Sequence, residues 1–170
     1  MAQAFSKPAL RPYLPADLPA VLAIFAAAIA ELTGNDYSEA QQAAWIASVD
    51  HDEAFAARLA AGLTLIATVG DAPAGFGSLK DNNLIDMLYV HPAAAGNGAG
   101  SALCDAFERL AAARGATQLT VDASDNARDF FARRGYAAER RNTVNLGDEW
   151  LGNTTMKKVL VMQPPSGSIQ

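Results

Sequence analysis

The amino-acid sequence predicts an α+β protein in which helices cover both faces of a mixed β-sheet. Runs with strand-like composition alternate along the chain with runs whose apolar residues recur at helical spacing. One strand-like run, residues 84–90, is nearly all apolar, which is typical of a central strand covered on both faces. Because such helices and strands must bury their apolar faces against each other, their order along the chain indicates a layered arrangement.

The first third of the chain is predicted to be mainly helical. A short strand over residues 9–13 comes first, and Asp17 is placed to cap the first helix. This helix carries apolar residues on one face: Leu18, Val21, Leu22, Phe25, Ile29 and Leu32. Ser38 and Gln41 have the spacing of a capping box and begin a second helix. A third helix over residues 52–61 ends at Gly62.

Strands dominate the remainder. Residues 63–69 and 74–79 flank Gly70-Asp71, a pattern that predicts a hairpin, and the central strand follows. A helix over residues 98–113, a strand over 118–122 and a short helix over 127–133 come next. A last pair, 138–145 and 151–159, surrounds Gly147-Asp148. We expect a single domain over residues 1–160 and a disordered tail over 161–170.

Length, composition and charge exclude several classes of protein. The 170 residues suffice for one sizeable core, and an apolar content of 51% excludes general disorder. A net charge of −5 argues against a nucleic-acid partner. Cys104 is the single cysteine and fits a reducing compartment, and we expect no signal peptide and no membrane-spanning segment. These observations predict a cytoplasmic protein without a membrane partner. We expect it to be a monomer or homodimer.

A glycine-rich turn after the central strand is the most informative segment. It reads Val90-His91-Pro92-Ala93-Ala94-Ala95-Gly96-Asn97-Gly98-Ala99-Gly100-Ser101. Three glycines at every second position leave backbone amides uncovered where a helix begins, which favours anion binding. The lysine of a Walker loop is missing. A dinucleotide fingerprint fits poorly, because Pro92 and three alanines separate the strand from the glycines.

The turn resembles the pyrophosphate loop of the GCN5-related N-acetyltransferases (GNAT family), which reads Gln/Arg-x-x-Gly-x-Gly/Ala after a strand ending in Val-x-Pro. Ala95 replaces the Gln or Arg. A second family motif, Asn-x-x-Ala-x-x-Phe/Leu-Tyr-x-x-x-Gly-Phe, matches residues 124–136. In that match Ser124 stands for the Asn, and Phe131 stands for a tyrosine often credited as the general acid. The resemblance extends over residues 10–160.

This resemblance implies a seven-stranded, mostly antiparallel mixed sheet whose fourth and fifth strands splay around CoA. Acetyl-CoA would be the co-substrate, its pantetheine would pair with the backbone of the fourth strand, and no metal would be needed. The expected cofactor contacts are Leu88, Tyr89, Val90, Ala95, Gly96, Asn97, Gly98, Ala99, Gly100, Ser101, Ser124, Asn126 and Phe131. A backbone N–H near Val90 would polarise the thioester carbonyl, and a neutral amine would attack it directly.

The candidate catalytic residues are Asp86, Glu31 and Tyr89. Asp86 is the lone carboxylate of the central strand, where loss of solvation would favour its protonated form and suit it to proton transfer. The alternative is a carboxylate that bonds a neighbouring backbone group or tyrosine and holds the sheet in register. Glu31 either lines the acceptor site or is a solvated helix end. Because Phe131 has no hydroxyl, the departing thiolate must take its proton from Tyr89, Tyr136 or water.

The acceptor site is predicted between Gly34 and Trp45. Tyr37 and Trp45 would frame a pocket in which Asp36 and Glu39 attract a cationic amine; the alternative is a hydrophobic staple with a solvated cap. The predicted activity is acetyl transfer from acetyl-CoA to a primary amine of a small molecule or peptide in a ternary complex. The competing hypothesis is a sensor or regulatory module that binds CoA or acetyl-CoA without efficient turnover.

Overall fold

The computed structural model describes residues 7–161, which form seven strands and five α-helices. The strands are β1 (Ala9–Pro12), β2 (Leu63–Val69), β3 (Ala72–Lys80), β4 (Leu84–Val90), β5 (Gln118–Ser124), β6 (Ala137–Leu146) and β7 (Glu149–Val159). The helices are α1 (Leu18–Leu32), α2 (Glu39–Ala47), α3 (Asp52–Ala61), α4 (Ala99–Ala113) and α5 (Arg128–Arg133). Beyond Val161, the predicted tail lies outside the described residues.

All seven strands belong to one sheet with the order β1-β2-β3-β4-β5-β7-β6. Every neighbouring pair is antiparallel except β4 and β5, which are parallel and are joined through α4. The predicted fold class, a mixed and mostly antiparallel seven-stranded sheet with helices on both faces, is therefore confirmed.

Each face of the sheet has its own hydrophobic core. Helix α4 packs Leu103 and Phe107 on one face, and both side chains are fully buried. On the other face α1 and α3 contribute Val21, Ile29 and Leu59, which are also buried. Because β4 lies between the two cores, its residues are apolar on both faces, and this explains the continuous apolar run in the sequence.

Helix α1 corrects one expectation from the sequence. Together with the turn before it, Pro15–Leu32 is long and apolar enough to cross a membrane, with a mean hydropathy of 1.7, by length and composition only. The expectation that no segment meets this criterion was therefore wrong. In the structure α1 packs its buried face against the sheet, as a core helix does.

Asp17 does not cap α1. Its carboxylate accepts hydrogen bonds from Arg11 at 2.8 Å and from the backbone N–H of Leu14 at 2.8 Å, so it faces back toward β1. A 3-10 turn, Pro15–Asp17, leads into the helix instead. Pro19 lies in the first turn of α1, where a missing N–H breaks no intrahelical bond.

The capping box of α2 is confirmed. The backbone N–H of Gln41 donates to Ser38 Oγ at 3.1 Å, and the N–H of Ser38 donates to Gln41 Oε1 at 2.8 Å.

We expect Ser38→Ala to lower the free energy of unfolding by about 1 kcal/mol, because the amide of Gln41 loses its acceptor. Urea unfolding measures the change, with Ser38→Thr as the control that keeps a hydroxyl. Equal stability of Ser38→Ala and the parent would contradict this account.

Candidate active site between the fourth and fifth strands

Strands β4 and β5 separate after two paired positions. They pair at Leu84↔Thr120 and Ile85↔Val121 and then diverge. On the other side of β4 the register with β3 shifts at the same level, which leaves Asp86 without a partner in a bulge. From Asp86 onward, the β4 edge that faces β5 has no strand partner among residues 7–161. The structure thus has the opening that a splayed pair of strands provides.

The open edge of β4 exposes main-chain groups at alternate residues. The N–H of His91 donates to Ala74 O of β3 at 2.8 Å. Since successive backbone groups in a strand point to opposite edges, the N–H groups of Val90 and Leu88 face the gap. Tyr89 O lies on the β3 side, 3.0 Å from the position of a Cβ on Gly75. Leu88 and Val90 therefore offer backbone groups to a ligand in the gap, whereas the expected backbone contact from Tyr89 is turned toward β3.

The glycine-rich loop lies at the carboxyl end of β4. Gly96 and Gly98 have φ of +84° and +87°, a left-handed conformation that glycine adopts at little cost. Gly98 is the N-cap of α4, and no side chain of the described residues caps this helix. The backbone N–H groups of Ala99, Gly100 and Ser101 therefore lie in a first turn where intrahelical acceptors are missing. This arrangement fits a bound pyrophosphate.

Three other expected cofactor contacts lie in this loop or just after β5. Ala95 and Asn97 are exposed within the loop. Asn126 is exposed in the turn before α5. The His91 ring stabilises the start of the loop, because its Nδ1 accepts from the N–H of Ala93 at 3.1 Å. His91 thus has a local structural bond of its own.

Helix α5 carries two adjacent rings, Phe130 and Phe131. Phe131 was expected to contact the cofactor, but the structure places it elsewhere. The Phe131 ring is 2% exposed and packs against Phe130 and Tyr136, with ring centroids 5.1 and 5.2 Å away. The half-buried Phe130 lies beside the start of α4, because a Cβ on Gly100 would be 3.5 Å from Phe130 Cζ. Phe131 therefore belongs to the core, and Phe130 is the ring of this pair that borders the loop.

A cleft of about 310 Å³ lies on the face of the sheet away from α4, beside the gap between β4 and β5. It is lined by Phe25, Tyr37, Trp45, Ser48, Val49, Arg58, Asp86, Met87, Tyr89, Asp122, Ser124, Val144, Leu146, Leu151, Gly152 and Asn153. Four rings in contact form one wall, with centroid distances of 5.4 Å for Tyr37–Trp45, 6.2 Å for Trp45–Tyr89 and 4.8 Å for Tyr89–Phe25. We call this set of rings the aromatic wall.

Tyr37 ties the aromatic wall to the opposite side of the cleft. Its hydroxyl donates to Gly152 O at 2.6 Å and accepts from the N–H of Asp125 at 2.9 Å. Burial raises the pKa of Tyr37, so the hydroxyl stays protonated and keeps its donor. The structure brings Tyr37 and Trp45 together in the cleft, as the acceptor prediction requires. Asp36 and Glu39, which were expected to attract the amine, are exposed and do not line the cleft.

Tyr89 presents a hydroxyl to the cleft, whereas Tyr136 does not. The Tyr89 hydroxyl accepts from Trp45 Nε1 at 3.3 Å, and its own proton has no acceptor within residues 7–161. Burial raises the pKa of Tyr89 to about 12, which keeps it protonated at neutral pH. Tyr136 is buried in the core on the α4 face of the sheet. Of the two tyrosines that were considered, Tyr89 is the one placed to donate a proton or a hydrogen bond.

Asp86 is held by an arginine that the sequence did not single out. Arg58 of α3 donates from Nε to Asp86 Oδ2 at 2.7 Å and from Nη2 to Asp86 Oδ1 at 3.0 Å. Hydrogen bonding to Asp86 raises the pKa of Arg58, so this guanidinium stays charged. Both oxygens of the proposed base are thus engaged. Glu31 is exposed on α1 and lies outside the lining of the cleft, which favours its interpretation as a solvated helix end.

The remaining reactive side chain is structural. Cys104 is fully buried, and burial raises the pKa of its thiol to about 12, so it stays neutral as a small core residue. Within the described part of the chain, no group of three or more His, Cys, Asp and Glu side chains is placed to hold a metal ion.

Comparison with known proteins points to one family. Residues 33–160 match the family described as an Acetyltransferase (GNAT) domain. The uncharacterized N-acetyltransferase YafP of Escherichia coli (strain K12) is 32% identical over 148 residues, which cover 87% of this chain and 93% of that protein.

Solved structures agree with this match. A structure described as a GCN5-related N-acetyltransferase, "Aminotransferase, Class-II", from Rhodopseudomonas palustris is 57% identical with a TM-score of 0.90, covering 94% of this chain and all (100%) of that one. PaiA N-acetyltransferase from Thermoplasma acidophilum, solved in complex with coenzyme A, has a TM-score of 0.75 over 89% of this chain and 98% of its own. At 18% identity the latter shows a shared fold.

Proposed function

Because this chain belongs to the GCN5-related N-acetyltransferase family and depends on acetyl-CoA, we propose that it acetylates a primary amine of a small molecule or peptide by direct attack in a ternary complex. The observation that carries the proposal is the position of the cleft. It opens beside the unpaired edge of β4, so an amine in the cleft and a thioester along that edge would lie next to each other. Holding both reactants in this way lowers the entropic part of the barrier.

The proposed cofactor contacts divide into two groups. The first-turn amides of α4, at Ala99, Gly100 and Ser101, would hold the pyrophosphate by hydrogen bonds and the helix dipole. The main-chain groups of Leu88 and Val90 would pair with the pantetheine. Acetyl-CoA supplies the activated acetyl thioester.

Val90 is the proposed donor to the reacting carbonyl. Its N–H faces the gap and is fixed by the pairing of the adjacent residues with β3. A rigid donor of this kind stabilises the negative charge that develops on the carbonyl oxygen during attack. The amine must be neutral to attack, and Asp86, fully engaged by Arg58, would act as a positioning residue rather than as a free base.

The Tyr89 hydroxyl is the proposed partner of the leaving thiolate. A thiol has an ordinary pKa of about 8.5, well below the pKa of about 12 for Tyr89. Proton transfer from Tyr89 to the thiolate is therefore uphill, and a hydrogen bond from Tyr89 is the more effective contribution. Solvent then supplies the proton.

We expect Tyr89→Phe to lower kcat about tenfold while the KM for acetyl-CoA stays within about twofold, because the hydrogen bond forms as the thiolate develops. Steady-state kinetics measure both constants, and Tyr136→Phe serves as the control, since its hydroxyl lies in the other core. Tyr89 stays protonated between about pH 6 and pH 10, so its titration adds no alkaline limb to the pH dependence of kcat in that range. An unchanged kcat in Tyr89→Phe, or an alkaline limb in that range that the substitution removes, would contradict this role.

The activity is tested by measuring thiol release from acetyl-CoA across a panel of primary amines, beside calorimetry with CoA. The proposal predicts CoA binding and amide formation with at least one amine. Tight CoA binding without turnover on any amine would favour the sensor hypothesis. Absence of CoA binding would contradict both hypotheses.

A further inference from the structure

We propose that Asp122 binds the ammonium group of the acceptor, and that the acceptor is a small cationic amine with an apolar or aromatic body and no carboxylate. The inference rests on the proposed function, because it takes the cleft to be the acceptor site. It goes further by naming a specificity-determining residue and by choosing a small molecule over a peptide.

The position of Asp122 mirrors that of Asp86 across the gap. Each is the first residue after the last β4–β5 pair, Ile85↔Val121. Val121 and Ala123 face the core beneath α4, so the Asp122 side chain between them points to the opposite face. That face holds the cleft, which both carboxylates line.

Hydrogen bonds fix the Asp122 carboxylate and leave one oxygen available. Thr155 Oγ1 donates to Asp122 Oδ1 at 2.6 Å, and Asn142 Nδ2 donates to Thr155 Oγ1 at 2.8 Å. Asp122 Oδ2 has no hydrogen-bond partner in the described part of the chain, and no described Lys or Arg nitrogen lies within 4.0 Å of the carboxylate. An oriented carboxylate with a free oxygen is suited to a charge-assisted bond with an ammonium group. Asp122 is exposed, so the bound ammonium can release one proton to solvent, and the neutral amine, still bonded to the carboxylate through an N–H, then attacks the thioester. A second amine proton leaves for solvent as the amide forms, and solvent protonates the thiolate.

The charges of the cleft favour a cation. Its ionic side chains are Arg58, Asp86 and Asp122. Arg58 and Asp86 neutralise each other in a bidentate pair, so Asp122 leaves the cleft with one net negative charge. A carboxylate on the acceptor would be repelled by Asp122, and the Arg58 guanidinium is already paired with Asp86.

The aromatic wall and the size of the cleft define the rest of the acceptor. The wall accommodates an apolar or aromatic body, because its four rings lie in contact along the cleft. Val144, Leu146 and Leu151 extend the apolar surface from the β6–β7 hairpin. The volume of about 310 Å³ lies at the lower end of the range for small-molecule pockets, ~300–1,000 Å³. These features fit a small arylalkylamine better than an extended peptide.

Binding can be followed separately from turnover. Of the two tryptophans, Trp45 lines the cleft, and Trp150 is 61% exposed outside it, so Trp150→Phe leaves Trp45 as the single fluorescent reporter. This protein, saturated with CoA, is titrated with 2-phenylethylamine, L-phenylalanine and 2-phenylethanol, which share one aromatic body. We expect the amine to bind at least about tenfold more tightly than the other two ligands.

The variants assign this preference to Asp122. Asp122→Asn, in the same background, is expected to weaken amine binding at least about tenfold and to leave 2-phenylethanol binding unchanged. Asp148→Asn, an exposed carboxylate outside the cleft, is the matched control and is expected to have no effect. Thr155→Val tests the positioning bond: we expect a smaller loss, which Thr155→Ser restores.

The possible results distinguish a failure of this inference from a failure of the proposed function. Equal binding of L-phenylalanine and 2-phenylethylamine, no binding of any of the three ligands, or an amine Kd within about twofold in Asp122→Asn overturns the inference. Acetylation of an amine at the parental rate and KM in Asp122→Asn overturns the inference and leaves the proposed function standing. Asp122-dependent amine binding without an N-acetyl product from acetyl-CoA overturns the proposed function and leaves the role of Asp122 standing.

Discussion

Gly98→Asp is expected to weaken CoA binding by at least about 100-fold while the protein remains folded. The new carboxylate would lie at the N-terminus of α4, where it repels a pyrophosphate and competes for the first-turn amides. Each lost hydrogen bond to a charged group contributes about 1.5–3 kcal/mol, so two such losses account for the effect. A Cβ at Gly98 meets nothing within 4 Å, and the main structural cost is therefore its φ of +87°.

Two control variants separate charge from backbone strain. Gly98→Asn introduces a similar shape without the charge and tolerates the left-handed conformation, so it is expected to retain most CoA affinity. Gly115→Asp places the same side chain at a φ of +90° in equally open space, but beyond the other end of α4. Calorimetry with CoA and thermal unfolding are measured on all three. CoA binding by Gly98→Asp at the parental affinity would show that the phosphates lie elsewhere.

Arg58→Met and Asp86→Asn are each expected to lower kcat/KM by about 30-fold. Truncating one member of a buried, hydrogen-bonded ion pair costs about 2–5 kcal/mol. Because the Arg58 side chain is 49% exposed, we take the lower limit of about 2 kcal/mol, which corresponds to the stated factor. The loss arises because the remaining charge lies unpaired in the cleft, which is the proposed acceptor site.

The pH dependence distinguishes a positioning pair from a general base. If Asp86 positions the cleft through Arg58, both single variants lose activity at every pH between about 6 and 9, since an arginine is charged throughout. The double variant Arg58→Met/Asp86→Asn is then no worse than either single one, because no charge is left unpaired. Recovery of Asp86→Asn activity as the pH rises, with Arg58→Met retaining activity, would instead identify Asp86 as the base.

Local sequence signals were sufficient to predict structure that depends on residues close together in the chain. The spacing of Ser38 and Gln41 predicts the capping box, and the alternate glycines predict the uncapped start of α4. Asp17 shows the limit of such signals. Its side chain has the chemistry of a helix cap, but in the fold its carboxylate binds Arg11 instead of the first-turn amides of α1.

The composition of the cleft was not predictable from local patterns. Asp122 and Asp86 meet because β4 and β5 pair in parallel for two positions, and that register exists only in the assembled sheet. Arg58 lies on a helix far along the chain from Asp86, with nothing in the spacing to connect them. The direction of the Tyr89 backbone likewise depends on its pairing with β3.

Two-substrate initial-rate kinetics with acetyl-CoA and 2-phenylethylamine, with the product identified by mass spectrometry, test the central claim most directly. Direct transfer in a ternary complex predicts one N-acetylated amine per CoA released and rates whose double-reciprocal plots intersect. Parallel plots, which indicate an acetylated enzyme, would contradict direct transfer. CoA release without an acetylated amine, from this or any other primary amine, would contradict the assignment of the cleft as an acceptor site.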